Sequence, residues 1–158
     1  KFTGKLKNEI HTFTNRGASG IDGIISTALG ISFINDKSNN LLVIGDISFF
    51  HDINGFHVLK SLKINLTIIV INNKGGQIFS TLEYANKNIE KFDEFWITPQ
   101  NIKINNVANL FNLKYFKLNT EKLKKEISKI SNLKGVKIIE VKTSSSSDIK
   151  IDKKLSLV

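Results

Sequence analysis

Two unbroken apolar runs, rich in β-branched residues, limit what this chain can become. Leu41-Leu42-Val43-Ile44 ends in Gly45-Asp46, and Leu66-Thr67-Ile68-Ile69-Val70-Ile71 ends in Asn72-Asn73. A strand with one wet face alternates apolar and polar residues. A run without alternation belongs to a sheet covered on both faces, the usual state of parallel strands. Between the runs, Ser48 to Leu62 has the length of a helix and offers Ile53, Phe56, Leu59 and Leu62 for burial. Strand, helix, strand at this spacing is a βαβ unit, whose crossover is right-handed by strong rule.

The rest of the chain extends that unit. Val136 to Val141 reads as a third strand. The helix before it is capped by Thr120 and places Leu123, Ile127 and Ile130 on one face. Glu121 in its first turn and the later lysines complement the helix dipole. Gly20 to Leu29 reads as another helix behind a glycine-rich approach, Ser144 to Ser147 as a loop, and the remainder as a tail. No internal repeat occurs. The expected fold class is α/β: an open, mainly parallel sheet with helices on both faces. One domain is expected over residues 1–158, with its core at about 15–142.

Composition removes several classes. The 158 residues are 41% hydrophobic, enough for one compact core. With no cysteine there is no disulfide scaffold and no thiolate zinc site. No run reaches the roughly 18 apolar residues of a spanning helix. Lys1 to Phe13 carries charges and no apolar stretch, unlike a secretory signal. The chain does not start with methionine and has none, so it is expected to be a piece of a longer protein. Its formal charge is +9, yet Arg16 is the only arginine among 23 basic residues. Nucleic-acid binders favour arginine for bidentate contacts, so no nucleic-acid partner is expected. The abundance of Lys, Asn and Ile reads chiefly as coding bias on a solvated surface, and secondarily as attraction for small anions.

In open α/β sheets, ligands sit beyond the carboxyl ends of the strands. If the two runs are neighbouring strands, Asp46 and Asn73 project from one edge. A carboxylate, an amide oxygen and a backbone carbonyl from the Lys74-Gly75-Gly76 turn make a hard oxygen set suited to Mg²⁺. Amide groups at the helix start after Ile47 are placed to hold diphosphate oxygens. Taken singly, each motif is better explained by an Asp cap or an Asn-Asn turn. Together, after two buried strands, they favour the cation site.

A Gly-Asp pair, about two dozen residues, then Asn-Asn closing a strand resembles the diphosphate and metal motif of thiamine diphosphate enzymes. The motif's usual third glycine is Ile47 here. Asn15-Arg16-Gly17-Ala18-Ser19-Gly20-Ile21-Asp22-Gly23 and Asn72-Asn73-Lys74-Gly75-Gly76-Gln77-Ile78-Phe79-Ser80 are similar to the MenD family of menaquinone-pathway synthases. So is Thr98-Pro99-Gln100-Asn101, followed by Ala108, Phe111 and Leu113-Lys114-Tyr115. The likeness runs from about Asn15 to Val141.

The resemblance implies an enzyme that decarboxylates 2-oxoglutarate on thiamine diphosphate with Mg²⁺ (or Mn²⁺). It joins the remaining unit to isochorismate, giving 2-succinyl-5-enolpyruvyl-6-hydroxy-3-cyclohexene-1-carboxylate on the way to menaquinone or phylloquinone. It implies that this chain is the diphosphate-binding domain of three. The pyrimidine-binding domain would come from a second subunit of a homodimer or tetramer, in a bacterial cytoplasm or plastid stroma. The metal ligands would be Asp46, Asn73 and the carbonyl of Gly75. Ile21 would be the stiff apolar wedge that bends the cofactor, with ordinary helix core as its other reading. Ser19 and Ser48 would touch the cofactor. Arg16 would bind a substrate carboxylate, with a surface salt bridge as its other reading. Ile78, Phe79 and Leu82 would line the substrate pocket. The activating glutamate would lie on the absent pyrimidine-binding domain, so no catalytic residue is assignable here and the chain alone should be inactive. His11, His51 and His57 read as structural or surface residues, having no metal-pair spacing. The competing expectations are another thiamine diphosphate enzyme, of the acetohydroxyacid synthase or decarboxylase type, and a non-catalytic remnant domain.

Overall fold

The computed structural model describes residues 10–15, 20–82, 85 and 89–143. Its centre is a four-stranded sheet of β1 (Leu41–Gly45), β2 (Leu66–Asn72), β3 (Lys114–Leu118) and β4 (Val136–Lys142), in the order β1-β2-β4-β3. Every pairing is parallel. Helices α1 (Ile24–Ile34), α2 (Asp46–His51), α3 (Ile104–Leu110) and α4 (Thr120–Ser131) connect and cover the strands. Among the described residues, no helix is long and apolar enough to cross a membrane.

Side chains alternate across the sheet, so the continuous runs supply two cores. Leu66, Ile68, Val70, Val136 and Ile138 pack with Ile25 and Leu29 of α1, Phe49 of α2 and Ile104 and Val107 of α3. Ile69, Ile139 and Val141 pack on the other face with Ile130, Leu123 and Ile127 of α4. The helical face read from the sequence is thus the one that docks. On this face Lys137 is 1% exposed and donates from Nζ to the carbonyls of Leu133, at 2.7 Å, and Ser131. A strand residue thereby satisfies carbonyls that the end of α4 leaves open.

Several expectations are corrected. The stretch Ser48 to Leu62 is not one helix: α2 already starts at Asp46 and ends at His51, and a 3-10 segment follows at Ile53–Lys60. The break falls at Asp52, whose carboxylate accepts from the N–H of Ser26 at 2.7 Å and from its hydroxyl at 3.1 Å. Gly55 then packs so closely that a Cβ there would lie 2.6 Å from Ser26 Oγ. The helix expected over Gly20 to Leu29 begins only at Ile24, because Gly23 is left-handed at φ 68°, and it runs on to Ile34. Helix α4 is capped by Asn119, which accepts from the N–H of Lys122 at 2.8 Å; Thr120 is its first helical residue. Among the described residues, strand β1 is covered by helices on one face only. Leu41 and Val43 are 53% and 61% exposed, because α4 lies across β2, β4 and β3 and β1 is the edge of the described sheet. Strand β3 and helix α3 were not expected at all. The loop at Ser144 to Ser147 and the tail lie outside the described residues.

Candidate functional site at the carboxyl edge of the sheet

Strands β1 and β2 are parallel neighbours with Gly45 opposite Ile71. Asp46, which follows β1, and Asn72-Asn73, which end and follow β2, therefore lie at one edge of the sheet. Asp46 opens α2 and is 3% exposed. Its Oδ1 accepts from the N–H of Ile47 at 3.0 Å, and its Oδ2 from the N–H of Gly75 at 2.8 Å. Burial holds its carboxyl above the ordinary value of 3.8, against the opposing pull of those backbone N–H groups. The Ile47 amide is thus already engaged by Asp46 and is not open to an outside anion.

The loop after β2 is held from three sides. Asn72 Oδ1 accepts the N–H of Lys74 at 3.2 Å, Asp46 takes that of Gly75, and the carbonyl of Ile97 accepts that of Gly76 at 2.7 Å. Lys74 stands at φ 65° and Gly75 at φ 123°. Glycine is required at position 75 twice over, since a Cβ would also meet the Ile97 carbonyl oxygen at 2.3 Å. Asn73 is half-buried, next to Asp46 in the strand order. No group of three or more His, Asp or Glu that could hold a metal occurs among the described residues. Any cation at this edge would draw on amide and carbonyl oxygens beside the single carboxylate.

Ser48 lies half-buried in α2, and Ile21 half-buried in the bend before α1. Ile21 is therefore not helix core. Beyond the loop, Gln77–Thr81 forms a 3-10 turn. It leaves Ile78 73%, Phe79 37% and Leu82 38% exposed, an apolar surface at the mouth of the edge. Arg16 and Ser19 lie outside the described residues. His51 and His57 are exposed, and His57 stands edge-on to Phe111 at 5.4 Å between ring centroids.

Four participants went unread in the sequence. Trp96 meets Phe79 edge-on at 5.5 Å and stacks on Phe92 at 6.0 Å, bracing the exposed turn. Ile97 supplies the carbonyl that pins the loop. Glu140 and Tyr115 stand beside Asn72. The only tryptophan, and an acid inside the strand Val136 to Val141, were the available signs.

A parallel α/β sheet with a buried aspartate opening a helix, beside a glycine loop at the neighbouring strand, agrees with the diphosphate-binding domain that the sequence motifs resemble. Residues 4–141 match the family described as thiamine pyrophosphate enzyme, C-terminal TPP binding domain, and the chain belongs to that family. It is similar to proteins named 2-succinyl-5-enolpyruvyl-6-hydroxy-3-cyclohexene-1-carboxylate synthase. That of Bacillus cytotoxicus is 38% identical over 156 residues, 98% of this chain and 26% of the relative. That of Listeria monocytogenes serotype 4b is 40% identical over 88% of the chain and 24% of the relative. That of Oceanobacillus iheyensis is 42% identical over 85% and 23%. The chain spans about a quarter of the length of these curated relatives.

Proposed function

We propose that this chain is the diphosphate-binding domain of a thiamine diphosphate- and divalent-metal-dependent synthase. The synthase combines 2-oxoglutarate, with loss of carbon dioxide, and isochorismate into 2-succinyl-5-enolpyruvyl-6-hydroxy-3-cyclohexene-1-carboxylate. The observation that carries the reading is the bond from Gly75 N–H to Asp46 Oδ2, which fixes the loop after Asn73 beside a buried carboxylate. Identity of 38–42% to the curated synthases supports the choice of reaction.

The residues fit the cofactor and its metal. Asp46 uses one lone-pair direction of each oxygen on backbone N–H groups, and a carboxylate offers about four such directions. Its remaining directions, the side-chain oxygen of Asn73 and the carbonyl of Gly75 would hold Mg²⁺ or Mn²⁺, both of which favour oxygen ligands. A divalent cation also offsets the desolvation of the buried carboxylate. Ser48 and Ser19 would contact the cofactor, and Ile21 would press on it as a rigid apolar surface. Arg16 would receive a substrate carboxylate, and Ile78, Phe79 and Leu82 would shield the substrate from water. Thiamine diphosphate supplies the electron sink for decarboxylation when bound. The residues of this chain grip, orient and exclude water. The activating acid would come from a pyrimidine-binding domain of a second subunit, within a homodimer or tetramer in the cytoplasm, so the chain alone would be inactive.

The test is titration of the chain with thiamine diphosphate, with and without Mg²⁺, followed by product analysis of the complete enzyme given 2-oxoglutarate and isochorismate. Mg²⁺-dependent binding that vanishes in Asp46→Ala, and formation of the named product, are expected. Product from 2-oxoglutarate alone, or from pyruvate instead, would move the chain to the acetohydroxyacid synthase or decarboxylase type.

A further inference from the structure

We propose that Glu140 and Tyr115 are positioning residues for the cation-binding loop, acting on it through Asn72; the proposal rests on the cofactor-edge reading above. Glu140 lies in β4, on the sheet face of Val136 and Ile138, and is 5% exposed. A buried carboxylate costs stability unless its oxygens are hydrogen-bonded. Both are. Oε1 accepts from Asn72 Nδ2 at 2.8 Å, and Oε2 accepts from the Tyr115 hydroxyl on β3.

This arrangement fixes which way Asn72 points. A carboxylate can only accept, so the amide nitrogen must face Glu140 and the amide oxygen must face away. That oxygen is the one that receives the N–H of Lys74 at 3.2 Å. Lys74 and Gly75 are two successive residues at positive φ, 65° and 123°, a backbone path that a non-glycine residue such as Lys74 holds only under constraint. Asn72 Oδ1 grips one side of the path, and Asp46 Oδ2 and the Ile97 carbonyl grip the other. The brace therefore crosses three strands, from β3 through β4 to β2. Tyr115, Glu140, Asn72 and Lys74 also line one polar cavity of about 600 Å³, on the side of β2 away from Asp46. Burial, together with the bond to Glu140, pushes the Tyr115 hydroxyl well above its ordinary value, which keeps it a donor.

Glu140→Leu and Glu140→Gln separate positioning from plain stability. Leucine suits an interior strand but leaves Asn72 free to turn. Glutamine can still accept from Asn72 through its carbonyl oxygen. The experiment is hydrogen–deuterium exchange on the complete enzyme without ligand, comparing peptides over Asn72–Gly76 with peptides over Ile138–Val141, followed by titration with thiamine diphosphate and Mg²⁺. In Glu140→Leu, loop exchange should quicken about tenfold relative to β4, the worth of roughly one lost hydrogen bond, and Mg²⁺-dependent affinity should fall by a similar factor. Glu140→Gln should stay within about threefold of the parent, whereas Tyr115→Phe, which leaves Glu140 Oε2 without its donor, should quicken loop exchange by about threefold to tenfold. Unchanged loop exchange in Glu140→Leu, or equal damage in Glu140→Gln, overturns the proposal. If Glu140→Leu does not fold, Asn72→Asp answers the same question, because it keeps an acceptor for Lys74 and loses the donor to Glu140: a faster loop beside an unchanged β4 supports the brace, and an unchanged loop overturns it. If the loop responds but the parent enzyme binds no thiamine diphosphate with Mg²⁺, the functional reading fails and the brace stands.

Discussion

Asp46 and Gly75 are 29 residues apart in sequence, and the carboxylate of the first accepts the backbone N–H of the second at 2.8 Å. One bond thereby ties the end of β1 to the loop that leaves β2. Asp46→Ala should cost about 1–3 kcal/mol in urea unfolding, because it strands the buried Gly75 N–H, and it should abolish Mg²⁺-dependent cofactor binding. Asp46→Asn should recover part of the stability through its remaining oxygen without recovering the metal.

Gly75→Ala combines an unfavourable φ with a Cβ placed 2.3 Å from the Ile97 carbonyl oxygen. The loop must move to admit it. A loss of about 1–3 kcal/mol of stability is expected by denaturant unfolding. Gly30→Ala is the control, since a Cβ there meets nothing within 4 Å. In the middle of α1 it should be neutral or stabilising by up to about 1 kcal/mol.

Asn119→Ala should destabilise by about 1 kcal/mol, the usual value of an N-cap side chain, whereas Thr120→Ala should change stability by no more than about 0.5 kcal/mol. Thermal unfolding of the two variants side by side checks the cap assignment.

Lys137 gives the chain a pH dependence. Burial, with a smaller push from the charge of Lys114, lowers its ammonium below the ordinary 10.5. Between the lowered value and 10.5 the unfolded chain holds the proton that the folded chain has released. Stability therefore rises with pH across that window, and the penalty is fully present below it. Urea unfolding on the alkaline side up to about pH 10 should show this upward slope in the parent; above that, the buried Tyr115 hydroxyl, which keeps its proton when the unfolded chain loses it, opposes the rise. Lys137→Met should lose the slope, and should also lose stability by leaving the carbonyls of Ser131 and Leu133 without their donor.

Ile78 is 73% exposed, so Ile78→Ala should move stability by less than about 0.5 kcal/mol. If it lines the substrate pocket, the complete enzyme should show a raised KM at unchanged cofactor affinity. Steady-state kinetics beside cofactor titration reads both.

The buried strands and the edge they define were legible because a two-sided core demands apolar runs; β2 supplies one, and β4 keeps Val136, Ile138, Ile139 and Val141 around Lys137 and Glu140. Their punctuation, Gly45-Asp46 and Asn72-Asn73, marked where the site residues meet. Strand β3 was less visible: Lys114-Tyr115-Phe116-Lys117-Leu118 sits at the sheet edge, half-exposed, and its mixed pattern fits several structures. The break at Asp52 depends on Ser26, far away in the chain, so no local pattern announces it. Thr120 and Asn119 are both good caps by type, and only the backbone geometry chooses between them. The Ile97 contact passes through a carbonyl, which every residue owns, so no side-chain pattern could point to it.

The bond from Gly76 N–H to the Ile97 carbonyl closes a circuit. The chain departs from the glycine loop at Gly76 and is back beside it at Ile97, and the intervening stretch carries Ile78, Phe79, Leu82 and Trp96. That clasp holds the two ends of the excursion together at the loop, where Phe79 and Trp96 also pack close to Gly76. Under the proposed function, the exposed side chains of the excursion would face the substrate while the clasped loop below them would face the cofactor. If the proposed function holds, 77–96 is the segment to exchange when a different acceptor is wanted.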